Sequence, residues 1–401
     1  MMDLHPILKV GIPRNIIQLP NLKFFEIDFM VRGKTLLNIP FNIGDKSDLN
    51  DLNRFAIKLG KPRNLNKVIE SLPIQISTMI FNSMVVDNHL DHFSNLTYIS
   101  LEMVELKSIK YLPKSLQHFK MISSRFKGGL DRFSWPPNMD TIYIEGTPMN
   151  DADLVKLSQW PNYLTSLALI GTGFEKYASL GILPPNLVYL NVTGKSNKID
   201  PLINDQGHYS FPESIKHLKI SGVNFFDYPD CEIQFSPRLD TLQISKCFET
   251  LKWQTFPTSL THLHYCPVSG KDNLLEYNNA FLNKHWQQLI NLTHLRLEKV
   301  GHSELSDWLP PKNLKYLDVS DTIIRSLDMA MFKEENMQYT MNLRKLDFSY
   351  SAIRSIPSEF YLPENMYRFI LTGDSIDLNL FPMILRHKVL NRIRKTKGRY
   401  F

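Results

Sequence analysis

The stretch Leu309-Pro-Pro-Lys-Asn-Leu314-Lys-Tyr-Leu317-Asp-Val319-Ser-Asp-Thr322 sets three apolar residues at a fixed spacing: one, two variable positions, a second, one variable position, a third. The same spacing returns in Leu183-Pro-Pro-Asn-Leu187-Val-Tyr-Leu190-Asn-Val192. With the first apolar residue of each phrase taken as its anchor, fifteen copies follow one another, at Leu22, Leu52, Ile76, Leu96, Leu116, Met139, Leu164, Leu187, Ile215, Leu239, Leu260, Leu292, Leu314, Leu343 and Met366. Successive anchors lie from 20 residues (Ile76 to Leu96) to 32 residues (Leu260 to Leu292) apart. Self-similarity at such a period predicts a solenoid, in which each unit buries its apolar side against its neighbours.

The third and fifth positions after each anchor are apolar throughout, as in Leu167 and Leu169 or Leu242 and Ile244. Alternate residues of a strand share a face, so each phrase predicts a short strand with a buried and an exposed side. Prolines at 113, 136, 161, 184, 212, 237, 257, 310 and 363 precede the anchors. Lacking an amide hydrogen, each ends the preceding segment and sets the turn into the next strand. Gly146-Thr147, Gly171-Thr172, Ser320-Asp321-Thr322 and similar small or polar residues follow the strands and suit turns.

Tandem units that return to one edge give parallel strands. The expected fold is therefore α/β: a curved, horseshoe-like solenoid with a parallel concave sheet of about fifteen short strands and an irregular or short-helical convex side. Helical spacing appears at 271–290, at 327–338 and at 152–159, the last with Asp151 as a candidate cap. The solenoid is expected over 1–380, with 381–401 as a basic C-terminal capping helix or tail.

The two phrases quoted above resemble leucine-rich repeat proteins. The Pro-x-Ser-Leu-x-x-Leu variant at 113–119 and 257–263 is similar to fungal F-box-associated leucine-rich repeats and to FNIP repeats. The resemblance implies a non-enzymatic protein-interaction scaffold, with target recognition in a ubiquitin-ligase assembly as a specific role. The first repeat begins by Leu19, which leaves no room for an F-box before it; the chain is expected either to lack that domain or to belong to a larger gene product.

Composition narrows the alternatives. The three cysteines, Cys231, Cys247 and Cys266, are too few for a disulfide framework and carry no zinc-site spacing, so a reducing compartment is expected, cytoplasmic or nuclear. No secretory leader and no run of about 18 apolar residues appears. The sequons Asn95-Leu-Thr97, Asn191-Val-Thr193 and Asn291-Leu-Thr293 are expected on strands. No phosphate loop, nucleophile elbow or paired carboxylates stand out, so neither enzyme nor cofactor is expected.

The second position after each anchor forms a polar and aromatic column: Tyr98, His118, Thr141, Ser166, Tyr189, His217, Thr241, His262, His294, Tyr316, Lys345 and Arg368. Tyrosine and arginine are the residue types most used as interface anchors, so this face is the expected site for a protein partner. His264 and Arg296 join it from the fourth position. Three imidazoles, His262, His264 and His294, could also form a metal site, but no Cys, Asp or Glu on the same positions completes it and Arg296 would repel a cation.

Net charge is +6 at pH 7, and it is uneven. Residues 383–401 hold seven basic residues (Arg386, Lys388, Arg392, Arg394, Lys395, Lys397, Arg399) and no acid; removing them leaves 39 basic against 40 acidic, or −1. That tail offers the competing reading: binding of nucleic acid or an anionic membrane surface. Lys315, Arg344, Lys345 and Arg368 add local positive charge to the C-terminal third.

Overall fold

The computed structural model describes the strands at 24–28 and 54–58 and most of 69–372, with interruptions that include 195–207, 223–231, 248–255, 268–285 and 300–304. Of the expected helix at 271–290, residues 271–285 lie outside the described residues, as does the basic tail, and Trp286–Gln288 forms a 3-10 turn. The chain divides into two compact units, Met1–Lys195 and Ser196–Phe401.

In the first unit eight parallel strands pair in sequence order: β1 (Phe24–Asp28), β2 (Arg54–Lys58), β3 (Thr78–Asn82), β4 (Tyr98–Glu102), β5 (His118–Ile122), β6 (Thr141–Glu145), β7 (Ser166–Thr172) and β8 (Tyr189–Gly194). The main sheet of the second unit has seven among the described residues: β9 (His217–Ser221), β10 (Thr241–Cys247), β11 (His262–Pro267), β12 (His294–Leu297), β13 (Tyr316–Asp318), β14 (Lys345–Ser349) and β15 (Arg368–Thr372). Each strand begins two residues after its anchor, and equivalent positions pair: Leu167 with Leu190, Leu263 with Leu295, Leu346 with Phe369.

Burial explains the register. Ile76, Leu96, Leu116, Leu164, Leu187, Leu260 and Leu292 are wholly buried, and the third and fifth positions of the coils from β3 onward join them in the core. A slip by one residue would turn that entire row to solvent, so the pairing is strongly specified. The result is a leucine-rich repeat solenoid in each unit.

Entry into most of the described strands is a tight turn. The anchor's N–H donates to the carbonyl three residues earlier, and in many coils that carbonyl belongs to proline: Leu116 to Pro113, Met139 to Pro136, Leu187 to Pro184, Leu260 to Pro257, Met366 to Pro363. Proline supplies the acceptor and has no N–H to leave unpaired. In two coils the acceptor is a neighbour of the proline named above. Leu314 bonds to Pro311 rather than Pro310, and the acceptor for Leu239 is Ser236 rather than Pro237.

A side-chain ladder runs along the same turns. Asparagine amides just before the anchors donate to the previous coil: Asn291 to the Thr258 carbonyl (2.8 Å), Asn313 to Ile290 (2.6 Å), Asn342 to Lys312 (2.9 Å). Ser115 and Ser259 play the same part toward Leu96 and Leu239. Asn291 and Asn95 are exposed in these turns rather than on strands, which corrects the expectation for their two sequons. Asn191 lies in β8 and is 7% exposed.

Exit from the strand uses a left-handed residue seven positions after the anchor. Ser83, Met103, Ser123, Gly146, Gly171, Gly222, Lys246, Lys299, Asp321 and Tyr350 all have φ between 47° and 81°. That conformation turns the N–H toward the next coil: Ser83 donates to Glu102, Met103 to Ile122, Ser123 to Glu145, Gly146 to Ile170. Glycine meets this requirement without a Cβ penalty, whereas other residues carry about 1–2 kcal/mol of strain. Met103 is more than half exposed and so gives up little packing. Met103→Gly is therefore expected to raise stability by about 0.5–1 kcal/mol, strain relief outweighing the greater freedom of glycine in the unfolded chain. The measurement is the urea midpoint, and an unchanged or lowered midpoint would count against the strain argument.

The outer connections are short. Helix α1 (Asp151–Leu157) is capped by Asn150, whose side chain accepts from Asp153 N–H while the Asp153 carboxylate accepts from Asn150 N–H. The cap is thus one residue earlier than Asp151. That carboxylate instead accepts from the Lys176 N–H (3.0 Å) and the Ser179 hydroxyl (2.6 Å) of the next coil. At 327–338 the expected helix is replaced by 3-10 turns at Ala330–Phe332 and Glu334–Asn336 and a single helical turn at Met337–Thr340. Among the described residues no helix is long and apolar enough to cross a membrane.

Candidate partner-binding face

The second-position column lies on the sheet face opposite the core. Its members are half-buried or exposed, because each sits beside an in-register neighbour of the adjacent coil. In the first unit, Tyr98 and His118 bring their ring centres to 6.4 Å, and His118 Nδ1 lies 3.9 Å from the Asp140 carboxylate. Lys120 stands over the Tyr143 ring at 5.7 Å. The Tyr143 hydroxyl donates to Glu145 at 2.5 Å, and burial together with that carboxylate pushes its pKa up to about 12. Tyr189 accepts a hydrogen bond from the Asn191 amide (3.3 Å). It is four strands from Tyr98, about 19 Å at the usual strand spacing, so the two tyrosines are separate contact points. Ser166 and Thr141 pair between them.

The second unit concentrates the column. His262 and His294 stack face to face with centres 4.0 Å apart and planes 11° from parallel. Tyr316 continues the stack on His294 at 4.3 Å and 16°. The strand register causes this, since His262, His294 and Tyr316 occupy one row of β11, β12 and β13. Burial, the neighbouring His262 and the Lys315 charge all push the His294 pKa below its ordinary value, which favours the neutral form of that imidazole. The row continues through Lys345, whose amine lies 3.3 Å from Asp347, to Arg368. His217 and Thr241 form the start of the same row on β9 and β10.

One row further along the strands, Glu298 collects the polar groups. It accepts from His264 Nε2 at 3.0 Å and from Arg296 at 2.7 Å, and it hydrogen-bonds the buried Cys266 thiol. Arg296 reaches Asp318 as well, at 3.8 Å. Burial pushes His264 below its ordinary pKa although Glu298 opposes the shift. The Cys266 thiol is pushed up to about 11, by burial first and then by Glu298.

Glu298, Asp318, Asp347 and Tyr367 were absent from the sequence-derived site. Glu298 is the sixth position of its coil and meets the fourth position of the previous one, so only the register between coils reveals the pair. The imidazoles do not converge. His262 and His294 present their faces to each other, and each Nδ1 lies within 2.8 Å of its neighbouring threonine hydroxyl, Thr261 or Thr293, while His264 is held by Glu298. Among the described residues no group of three His, Cys, Asp or Glu is placed to hold a metal ion.

No family model matches the chain, and no curated protein matches it. Solved structures do. CroV588, a circular LRR protein, is 16% identical with a TM-score of 0.46 over 83% of this chain. This chain spans about half (52%) of that protein's length. A Leptospira interrogans LRR protein is 15% identical with a TM-score of 0.43 over 87% of this chain and 95% of its own. InlP of Listeria monocytogenes is 13% identical with a TM-score of 0.36 over 56% of this chain and 62% of its own.

Proposed function

We propose that this protein is a non-enzymatic recognition scaffold that captures a protein partner on the solvent side of its parallel sheet. The observation that carries the reading is the His262–His294–Tyr316 stack, three flat amphipathic rings held on a ladder of paired strands. Rings already ordered by stacking lose little freedom on binding, so their contact area converts into affinity with a smaller entropic cost. The finer role, target recognition in a ubiquitin-ligase assembly within the cytoplasm or nucleus, is supported by the Pro-x-Ser-Leu-x-x-Leu repeats.

The test is capture by the immobilised full chain, with the partner identified by mass spectrometry and its affinity then measured across a salt titration. Tyr316→Ala is expected to weaken binding about thirtyfold, as for an interface anchor at the lower end of the hot-spot range. Tyr189→Ala reports separately on the first unit. Affinity that survives salt and truncation at residue 382 supports the sheet face. Affinity that falls steeply with salt and vanishes on that truncation transfers the function to the basic tail and sinks this reading.

A further inference from the structure

The start of the last three strands of the second unit carries positive charge that is mostly unpaired among the described residues. Lys315 and Tyr316, Arg344 and Lys345, and Tyr367 and Arg368 occupy equivalent positions on β13, β14 and β15, locked by backbone bonds from Arg344 N to Lys315 O (2.8 Å) and from Tyr367 N to Arg344 O (3.0 Å). These six positions hold four cations, two tyrosines and no acid. Lys345 is answered by Asp347. Lys315, Arg344 and Arg368 make no ion pair among the described residues. Beside them opens a shallow cavity of about 280 Å³ lined by Met341, Asn342, Arg344, Asn365 and Tyr367. The Tyr367 ring is more than half exposed.

We propose that this end of the sheet reads an acidic peptide segment of the protein partner, a deepening that rests on the function proposed above. Carboxylates would be met by Arg344, Arg368 and Lys315, with the cavity beside Arg344 taking one side chain between the two asparagine amides and Tyr367. Arginine guanidinium forks suit planar carboxylates. The tyrosines add apolar area of the kind used against protein side chains. A continuous polyphosphate fits less well. Asp318 and Asp347 stand further along β13 and β14, and Glu298 follows the neighbouring β12, so positive potential is confined to the strand starts and fades where a nucleic-acid backbone would need to continue.

The test measures fluorescence anisotropy with the full chain and four labelled probes: a short Glu-rich peptide, a Lys-rich peptide of equal length, a short oligo-dT, and phosphatidylserine vesicles. The Glu-rich peptide is expected to bind in preference to the other three. Arg344→Ala and Arg368→Ala should each weaken it about tenfold. The exposed double variant Arg344→Glu/Arg368→Glu should exchange preference toward the Lys-rich peptide. A variant with Arg392, Arg394 and Lys395 changed to Gln should bind the Glu-rich peptide as the parent does. Equal or tighter binding of oligo-dT or vesicles, indifference to the Arg344 and Arg368 changes, or loss in the tail variant alone overturns the proposal. If the Glu-rich peptide fails while partner capture still depends on Tyr316, this inference falls and the sheet-face function stands.

Discussion

Trp135→Ala is expected to cost the first unit about 3–5 kcal/mol, the range for removing a large aromatic from a packed core. Trp135 precedes the Pro136 turn and closes the core beneath β5 and β6. Its ring meets Phe133 and Phe119 edge-on, at 4.8 and 5.3 Å, and stacks on Trp160 at 6.3 Å. Its Nε1–H donates to the Leu157 carbonyl at 2.9 Å, satisfying an acceptor at the end of α1. Trp160 repeats the device one coil later, donating to Leu180 at 2.7 Å. Truncation would open a void and orphan that carbonyl together. Since each coil packs on its neighbours, the loss should spread to the adjacent coils rather than stay local. Trp308 in the second unit provides the contrast. It packs edge-on against Trp286 at 5.8 Å, but its indole nitrogen has no hydrogen-bond partner among the described residues. Trp308→Phe should accordingly cost less than Trp135→Phe, by about the 1 kcal/mol of a net hydrogen bond. Urea unfolding followed by far-UV circular dichroism reads all three variants. A Trp135→Ala protein within 1 kcal/mol of the parent, or Trp308→Phe as costly as Trp135→Phe, would contradict this account.

The core of each coil was legible because it obeys a period. Anchors such as Leu187 and Leu314 mark strands that start two residues later, and every anchored phrase carries one. Features set by contacts between coils were not legible in the same way. Asn150 and Asp151 are both good caps, and the choice falls to Asn150 because the Asp151 carboxylate is drawn to residues 175–179 of the next coil. The left-handed exits were partly visible at Gly146 and Gly171. At Met103 and Lys299 the residue type gives no hint, because the ladder bond imposes the conformation. The column of tyrosines and histidines could be read directly from the phrase. Its focusing into a stack at His262, His294 and Tyr316 required the register across the long gap between Leu260 and Leu292. Glu298 was missed for the same reason, since His264 lies 34 residues before it.

Glu298→Ala should have the second-largest effect, a loss of about 2–3 kcal/mol, because it removes an acceptor shared by charged and polar donors in a half-buried setting. The Glu298 side chain is only 17% exposed. Arg296 would keep the longer contact to Asp318, while His264 and Cys266 would lose a hydrogen-bond partner. The pH profile makes the prediction specific. Burial alone would raise the Glu298 carboxyl, yet the Cys266 hydrogen bond and the charges of Arg296 and His264 hold it below the ordinary carboxylate value. Its contribution is therefore present above the unfolded value of about 4.3 and is lost as pH falls through the lower folded value. His264 and His294 are also held below their ordinary value, in both cases chiefly by burial. For them the unfolded chain takes up protons first, so stability already declines as pH drops below about 6.5. The parent protein should thus weaken in two steps on acidification. In Glu298→Ala the lower step shrinks, and the upper one deepens because His264 loses the carboxylate that favours its charged form. The Cys266 thiol, now at about 11, should ionise more readily once that carboxylate is gone. Maleimide labelling at pH 8, with Cys231 and Cys247 changed to Ser, should accordingly be faster in the variant than in the parent, since the thiolate is the reactive form. Identical labelling rates and superimposable acid profiles would show that the carboxylate does not hold these groups together.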